Sequence, residues 1–323
     1  MVASSRLFCT LLALVVVGIS GAAVAQGYPS RNIRFILPFP PGGPTDILGR
    51  AIAQQLSDQV GKQFVPDNRP GAGGNLGLEI LAKSAADGHT IGLSSSAFAI
   101  SPAMYKKLNY KQSDLAPISL VAEIPNVMVV HPSVPARNLK ELITLARNSP
   151  GRLTFGSGGV GTTTHLTPER IMSITKIKML HIPYKGSGLA LVSLIAGEID
   201  LLIMTVPAAQ AQIKAGKARA LVVFADERAA AIPDVPSAKE LGVENYIVQL
   251  WYGIFAPART PADRIQWLNA EIRKAMNAPK LKNRLVNISI TPRTSTPEEF
   301  ARFIAEETPR YAKLVKDAGI RPR

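Results

Sequence analysis

Arg34-Phe-Ile-Leu-Pro-Phe-Pro-Pro-Gly-Gly-Pro-Thr-Asp-Ile-Leu-Gly-Arg50 reads as strand, turn and helix. Residues 34–37 form a short apolar run with β character. Pro38, Pro40 and Pro41 lack the N–H that a sheet ladder needs, so the strand stops there. Gly42 and Gly43 allow backbone angles that residues with a Cβ avoid. Thr45 or Asp46 can cap the following helix, whose apolar face is Ile47, Leu48, Ala51, Ile52 and Leu56. The first turn of any helix leaves N–H groups without an intrahelical partner, with the positive end of the helix dipole behind them. Such a start seats a carboxylate or a phosphate. A plain βα turn without a ligand is the competing reading of the same residues.

Outward from this stretch the pattern repeats. A strand at 64–65 leads through the glycine-rich Asp67–Gly77 loop into a helix over 76–85. A strand over 90–93 ends at Ser94, Ser95 and Ser96. Beyond a buried-type strand over 127–130 comes a second series. It has strands at 153–155, 179–182, 199–203 and 220–224, each followed by a turn and a helix, except the last. A third segment holds a strand over 248–255 with Trp251 and Tyr252, and a helix to about 277. Thr296-Pro-Glu-Glu299 is a capping box that opens a last helix, which Pro309 is expected to kink or break. Alternating strands and helices imply a parallel sheet with helices on both faces, and ligands gather beyond the carboxyl ends of its strands.

Composition narrows the class. Arg6, the apolar run 7–19 and Ala23-Val24-Ala25 read as an export signal cleaved after Ala25, with a run too short to span a bilayer. The single cysteine, Cys9, lies inside that signal, so the mature chain is expected to be exported and free of disulfides, held by core burial alone. The net charge of +14 favours acidic partners. Aromatic residues make up only 6% of the chain and no dense Lys/Arg run accompanies them, so nucleic acid is not expected as a partner.

Several motifs fail on inspection. Gly156-Ser-Gly-Gly-Val-Gly161 satisfies G-x-G-x-x-G, but no acidic residue lies between Arg170 and Ile182, where a dinucleotide ribose would need one. Its backbone amides can still hold a small carboxylate. Ser157 and Ser187 lie outside any G-x-S-x-G elbow, so a hydrolase using either with His165 is a poor reading. The histidines at 89, 131, 165 and 181 show no metal-ligand spacing. No catalytic residue, cofactor or metal is therefore expected. Lys185, on a turn after a strand, can neutralise an anion or be a surface lysine. Trp251 and Tyr252 can line a pocket or pack in a core, the core being the better reading for Trp251.

Taken together, Pro38-Phe-Pro-Pro-Gly-Gly-Pro-Thr-Asp46, Asn68-Arg-Pro-Gly-Ala-Gly-Gly-Asn75, Gly159-Val-Gly-Thr-Thr-Thr-His-Leu166, His181-Ile-Pro-Tyr-Lys-Gly186, Ile232-Pro-Asp-Val-Pro236 and Trp251-Tyr-Gly-Ile-Phe-Ala-Pro257 resemble Bug-type solute-binding receptors of tripartite tricarboxylate transporters. The resemblance covers residues 28–320. It implies an α/β, two-lobe periplasmic binding protein of type II architecture with crossing hinge strands. Lobe 1 would be residues 26–128 plus 225–323, and lobe 2 residues 129–224. It also implies a monomer that binds a small organic acid and docks on membrane permease subunits. A ligand-sensing receptor of the same fold is the alternative. The residues it assigns to the ligand are Phe39, Gly43, Thr45, Asp46, Ser94, Ser95 and Ser96 in the first lobe. In the second they are Gly161, Thr162, Thr163, His165, Tyr184, Lys185 and Thr205. Pro40-Pro41, Gly188-Leu189 and Ser193 depart from the family's usual residues, which bears on ligand identity.

Overall fold

The structure is a computed structural model that describes residues 27–320 and 322. The export-signal reading falls on residues 1–25, outside the described residues. From Arg31 onward the chain forms one compact unit.

Two sheets organise that unit. In the first, β1 (Ile33–Leu37) lies between β2 (Phe64–Asn68) and β3 (Thr90–Ser95), parallel to both. β10 (Trp251–Pro257) then runs antiparallel between β3 and β4 (Leu115–Glu123), and β11 (Thr291–Pro292) closes that edge. In the second, β6 (Thr154–Ser157) pairs parallel with β7 (Leu180–Pro183) and β8 (Leu201–Thr205). β5 (Asn126–Val130) runs antiparallel between β8 and β9 (Arg219–Phe224).

The expected all-parallel sheets are therefore mixed. One strand in each sheet arrives from the other half of the chain and enters in the opposite direction. β4 runs almost straight into β5 through Ile124-Pro125, and the return passage ends at Leu250 just before β10. The two passages lie side by side, with the Ile124 N–H donating to the Leu250 carbonyl at 3.0 Å. The strand expected over 248–255 starts only at Trp251, because residues 248–250 belong to this crossing.

Side-chain alternation explains the burial. On β5, Met128 and Val130 enter one apolar core while Val127 and Val129 enter another. On β8, Leu201 and Ile203 face the first of these and Leu202 and Met204 the second. Strands covered on both faces read as unbroken apolar runs, as these do. In the first half, the helix Pro44–Val60 buries Leu48, Ala51, Ile52 and Leu56 and ends at left-handed Gly61, whose N–H returns to the Ser57 carbonyl.

The last helix, Pro297–Asp317, continues through Pro309, contrary to the expected break. The Thr308 hydroxyl donates to the Ile304 carbonyl at 2.9 Å. Phe300, Tyr311, Leu314 and Val315 are buried on either side of the proline. Packing of that face outweighs about 3 kcal/mol of proline cost. The capping box at its start is present, with Thr296 and Glu299 exchanging both bonds.

Phe300 packs against Trp251 and Phe255, and a Cβ on Gly253 of β10 would run into its ring. Gly253→Ala is therefore expected to destabilise the fold by about 1–3 kcal/mol through overpacking. A urea midpoint unchanged from wild type would contradict this packing.

Candidate functional site

The carboxyl ends of β1 and β3 in one sheet face those of β6 and β8 in the other across a cavity of 380 Å³. Four helices begin at its wall. Pro44–Val60 starts after Gly43, Thr163–Thr175 after Thr162, Ser187–Ile195 after Gly186, and Val206–Lys214 after Thr205. None of these four N-cap residues covers its helix start with a side-chain hydrogen bond. Dipole ends from both halves thus face one space; the first-turn amides come mainly from the starts at Gly43, Thr162 and Gly186, since the Val206 N–H is donated to the Pro125 carbonyl at 3.1 Å and Pro207 has none.

The inner end of the cavity is lined with hydroxyls. Thr45, Ser95, Thr163 and Thr205 line it and are each buried. The Thr205 Oγ1 makes no hydrogen bond in the structure. Asn126 donates from Nδ2 to the Thr163 Oγ1 at 3.1 Å, which leaves that hydroxyl's own proton free to point elsewhere. Tyr252 completes this end, its hydroxyl 3.5 Å from the Thr45 Oγ1. Burial pushes the Tyr252 phenol up to about 12, against a small opposing effect of Thr45, so it stays a neutral donor. Among the described residues, no Arg, Lys, His, Asp or Glu lines this cavity.

Of the sequence-predicted residues, Phe39, Gly43, Thr45, Ser95, Thr162, Thr163 and Thr205 are brought together here. The others are not part of this lining. Asp46 is turned away from it and staples the turn. Its carboxylate accepts from the Gly42 N–H at 3.0 Å, Arg50 at 2.8 Å and Asn68 at 3.0 Å. The helix N-cap is accordingly Gly43, neither Thr45 nor Asp46. Ser94 and Ser96 are buried outside the lining: Ser94 points to the opposite face of the strand from Ser95, and Ser96 is the N-cap of the helix Ala97–Met104.

His165 lies in a ring stack, 4.2 Å from His181, which in turn stacks on Phe155 at 4.7 Å. Its Nε2 faces Glu169 at 3.5 Å, one helical turn on. Ser157 bonds to His181 at 2.7 Å rather than to His165, and is fully buried. The Ser157–His165 hydrolase pairing is thereby overturned. Gly161 packs beside Tyr105 and Met104. Tyr184 and Lys185 line a neighbouring crevice with residues 70–74, Tyr105 and Gly158–Val160. The turn places Lys185 on that side, outside the lining of the main cavity.

Sequence reasoning missed the Ser187–Leu189 helix start, Val192 and Leu250 as lining residues. Ser187 and Gly188 follow the recognised Tyr184-Lys-Gly186 turn, so a helix start there was a readable signal. Trp251 is fully buried as core, and Tyr252 lines the pocket, so the adjacent pair divides as strand alternation requires.

The two halves are in contact. A Cβ on Gly73 would come within 2.5 Å of the Val160 carbonyl oxygen. The Tyr105 hydroxyl lies 3.0 Å from both the Ala72 and the Val160 carbonyl oxygens, one from each side.

With this geometry established, comparison places the chain. It matches the model of the tripartite tricarboxylate transporter family receptor over residues 48–320. The chain belongs to that family of solute-binding proteins, and it is a binding protein rather than an enzyme. It is 36% identical to protein BugT of Bordetella pertussis over 305 residues, 94% of each chain. Its fold is similar to that of a Rhodopseudomonas palustris protein solved with adipate. That match has a TM-score of 0.88 and 32% identity, over 92% of this chain and 100% of the other. A second protein from the same organism, solved with bound malate, matches with a TM-score of 0.84 and 28% identity, over 89% and 100%.

Two outcomes test this geometry. Burial opposes charge on Asp46, but Arg50, the Gly42 N–H and Asn68 together hold its carboxyl below the usual aspartate range. A depressed value contributes stability above the unfolded pKa and loses it as pH falls through the folded one. Asp46→Asn is therefore expected to cost about 1 kcal/mol at pH 7, discounted for the exposed Arg50. That gap to wild type should shrink as pH falls below about 3.9. A gap constant between pH 7 and pH 3 in urea melts would contradict the staple. Separately, Tyr105→Phe removes a link between the halves and is expected to raise a ligand's Kd by about three- to tenfold without lowering Tm by more than a degree or two. An unchanged Kd would show that the link does not hold the halves together.

Proposed function

We propose that this chain is an exported periplasmic receptor. As a monomer it captures a small organic carboxylate between its lobes and delivers it to the membrane permease of a tripartite tricarboxylate-type transporter. The lobe bounds expected at 128 and 225 move in this reading to the two crossing passages, giving residues 27–124 plus 251–320 and residues 126–249, because β5 lies in the second sheet and Ala229, Ile232, Val235, Ala238 and Tyr246 pack in its cores. The observation that carries it is the convergence of four helix starts and a row of buried hydroxyls, drawn from both sheets, on one cavity free of ionic side chains. A carboxylate supplies acceptors for the uncapped first-turn amides and for the Thr205 hydroxyl, which has no partner of its own. Because the donors come from both sides, an anion between them favours the closed arrangement. The relatives solved with adipate and with malate support an organic acid as the ligand class.

Closure strengthens the bonds to the anion, since charge-assisted hydrogen bonds gain as water leaves. A ligand that binds only the folded state adds about 2.7 kcal/mol at a hundredfold excess over its Kd. Thermal melts of the mature protein against a panel of mono-, di- and tricarboxylates, amino acids and sugars are expected to show a shift of several degrees with at least one organic acid and none with sugars. Shifts with sugars alone would contradict the proposal.

A further inference from the structure

The cavity is polar at one end only. Its buried hydroxyls, Thr45, Ser95, Thr163 and Thr205, are at most 5% exposed. The rest of the lining is largely apolar, with Phe39, Pro40, Pro41, Leu189, Val192 and the buried Leu250. Leu189 is 53% exposed and Val192 65% exposed, which makes them two of the most exposed large apolar side chains among the described residues. They stand three residues apart on the helix Ser187–Ile195, so they share one face, above the same helix start that turns its amides inward. Leu250 belongs to the crossing passage, where its carbonyl accepts from the Ile124 N–H and its side chain is buried against the cavity.

Resting on the carboxylate-receptor reading, we infer that this site selects an acid with one carboxylate and a compact apolar body, such as an aromatic or alicyclic monocarboxylate. The carboxylate occupies the hydroxyl and amide end, and the body covers Leu189, Val192 and Leu250. A hydroxy-diacid or a triacid would place its further charged and hydroxyl groups against prolines, leucine and valine. No charged side chain there compensates for the water it would lose. An apolar body instead removes the exposed surface of Leu189 and Val192 from water. The volume of 380 Å³ is ample for a six-membered ring bearing a carboxylate and falls at the small end of ligand pockets.

Calorimetric titration of the mature protein with benzoate, cyclohexanecarboxylate, malate, adipate and citrate tests this class. Benzoate or cyclohexanecarboxylate is expected to bind at least about tenfold more tightly than malate, adipate or citrate, the scale that a few apolar contacts provide. Val192→Ser, at an exposed position that leaves folding intact, and Leu250→Ala are each expected to weaken the apolar acid several-fold and leave malate within twofold. Tighter binding of malate, adipate or citrate would overturn the inference while leaving the carboxylate-receptor reading standing. Equal weakening of benzoate and malate by Val192→Ser would also overturn it. Failure of all five acids to bind at millimolar concentration would sink the receptor reading and this inference with it.

Discussion

A carboxylate can be held in a buried site without a cation only if enough polarised N–H and O–H groups are already aimed at it. The rest of this structure follows from that requirement. Each helix start contributes roughly half a positive charge, and an isolated pair of them would be weak in water. Four starts facing one enclosed space act at lower dielectric, where the same partial charges count for more. The absence of lining ionic groups also matters for turnover of the ligand. A site with no fixed counter-charge pays little when the ligand leaves, so opening is not opposed by an unpaired buried cation.

Topology brings those starts together. Parallel strands β1 and β3 on one side, and β6 and β8 on the other, deliver their following helices at the same ends. The antiparallel strands β10 and β5 enter between or beside them and bring the chain back across. The paired passages at Ile124-Pro125 and Leu250 join the two sheets at a narrow, hydrogen-bonded place. The halves also touch at Gly73 with Val160 and through the Tyr105 hydroxyl. The apolar core of the first sheet includes Val160 and Leu166 from the second half, so closure is also an apolar contact.

Much of this was legible in the residues, for reasons that also mark its limits. Pro38 to Thr45 announced a strand end, a turn and a helix start because proline and glycine act locally. Gly159 to Thr163 did the same in the second lobe. Asp46 and His165 fall outside the cavity lining because sequence places a residue on an element but not on a face. Asp46 reaches back to its own turn, and His165 lies beneath the site against His181. β4 and the helix Pro279–Asn287 escaped because Pro117 interrupts the β pattern and the nine-residue helix is short and strongly polar. Leu250 was hidden because its role depends on pairing with Ile124, 126 residues earlier, which no local pattern records. Pro309 misled because its local cost is smaller than the burial on either side of it.

The central claim is that amides and hydroxyls, not a cation, hold the ligand's charge. Amide resonances of the mature protein, followed by ¹H–¹⁵N correlation spectra during titration with benzoate, test it directly. The account predicts the largest downfield proton shifts at Thr45, Thr163, Thr164 and Gly188, with Lys185 little changed. Shifts concentrated around Lys185 and Tyr184, with those four amides unmoved, would contradict it.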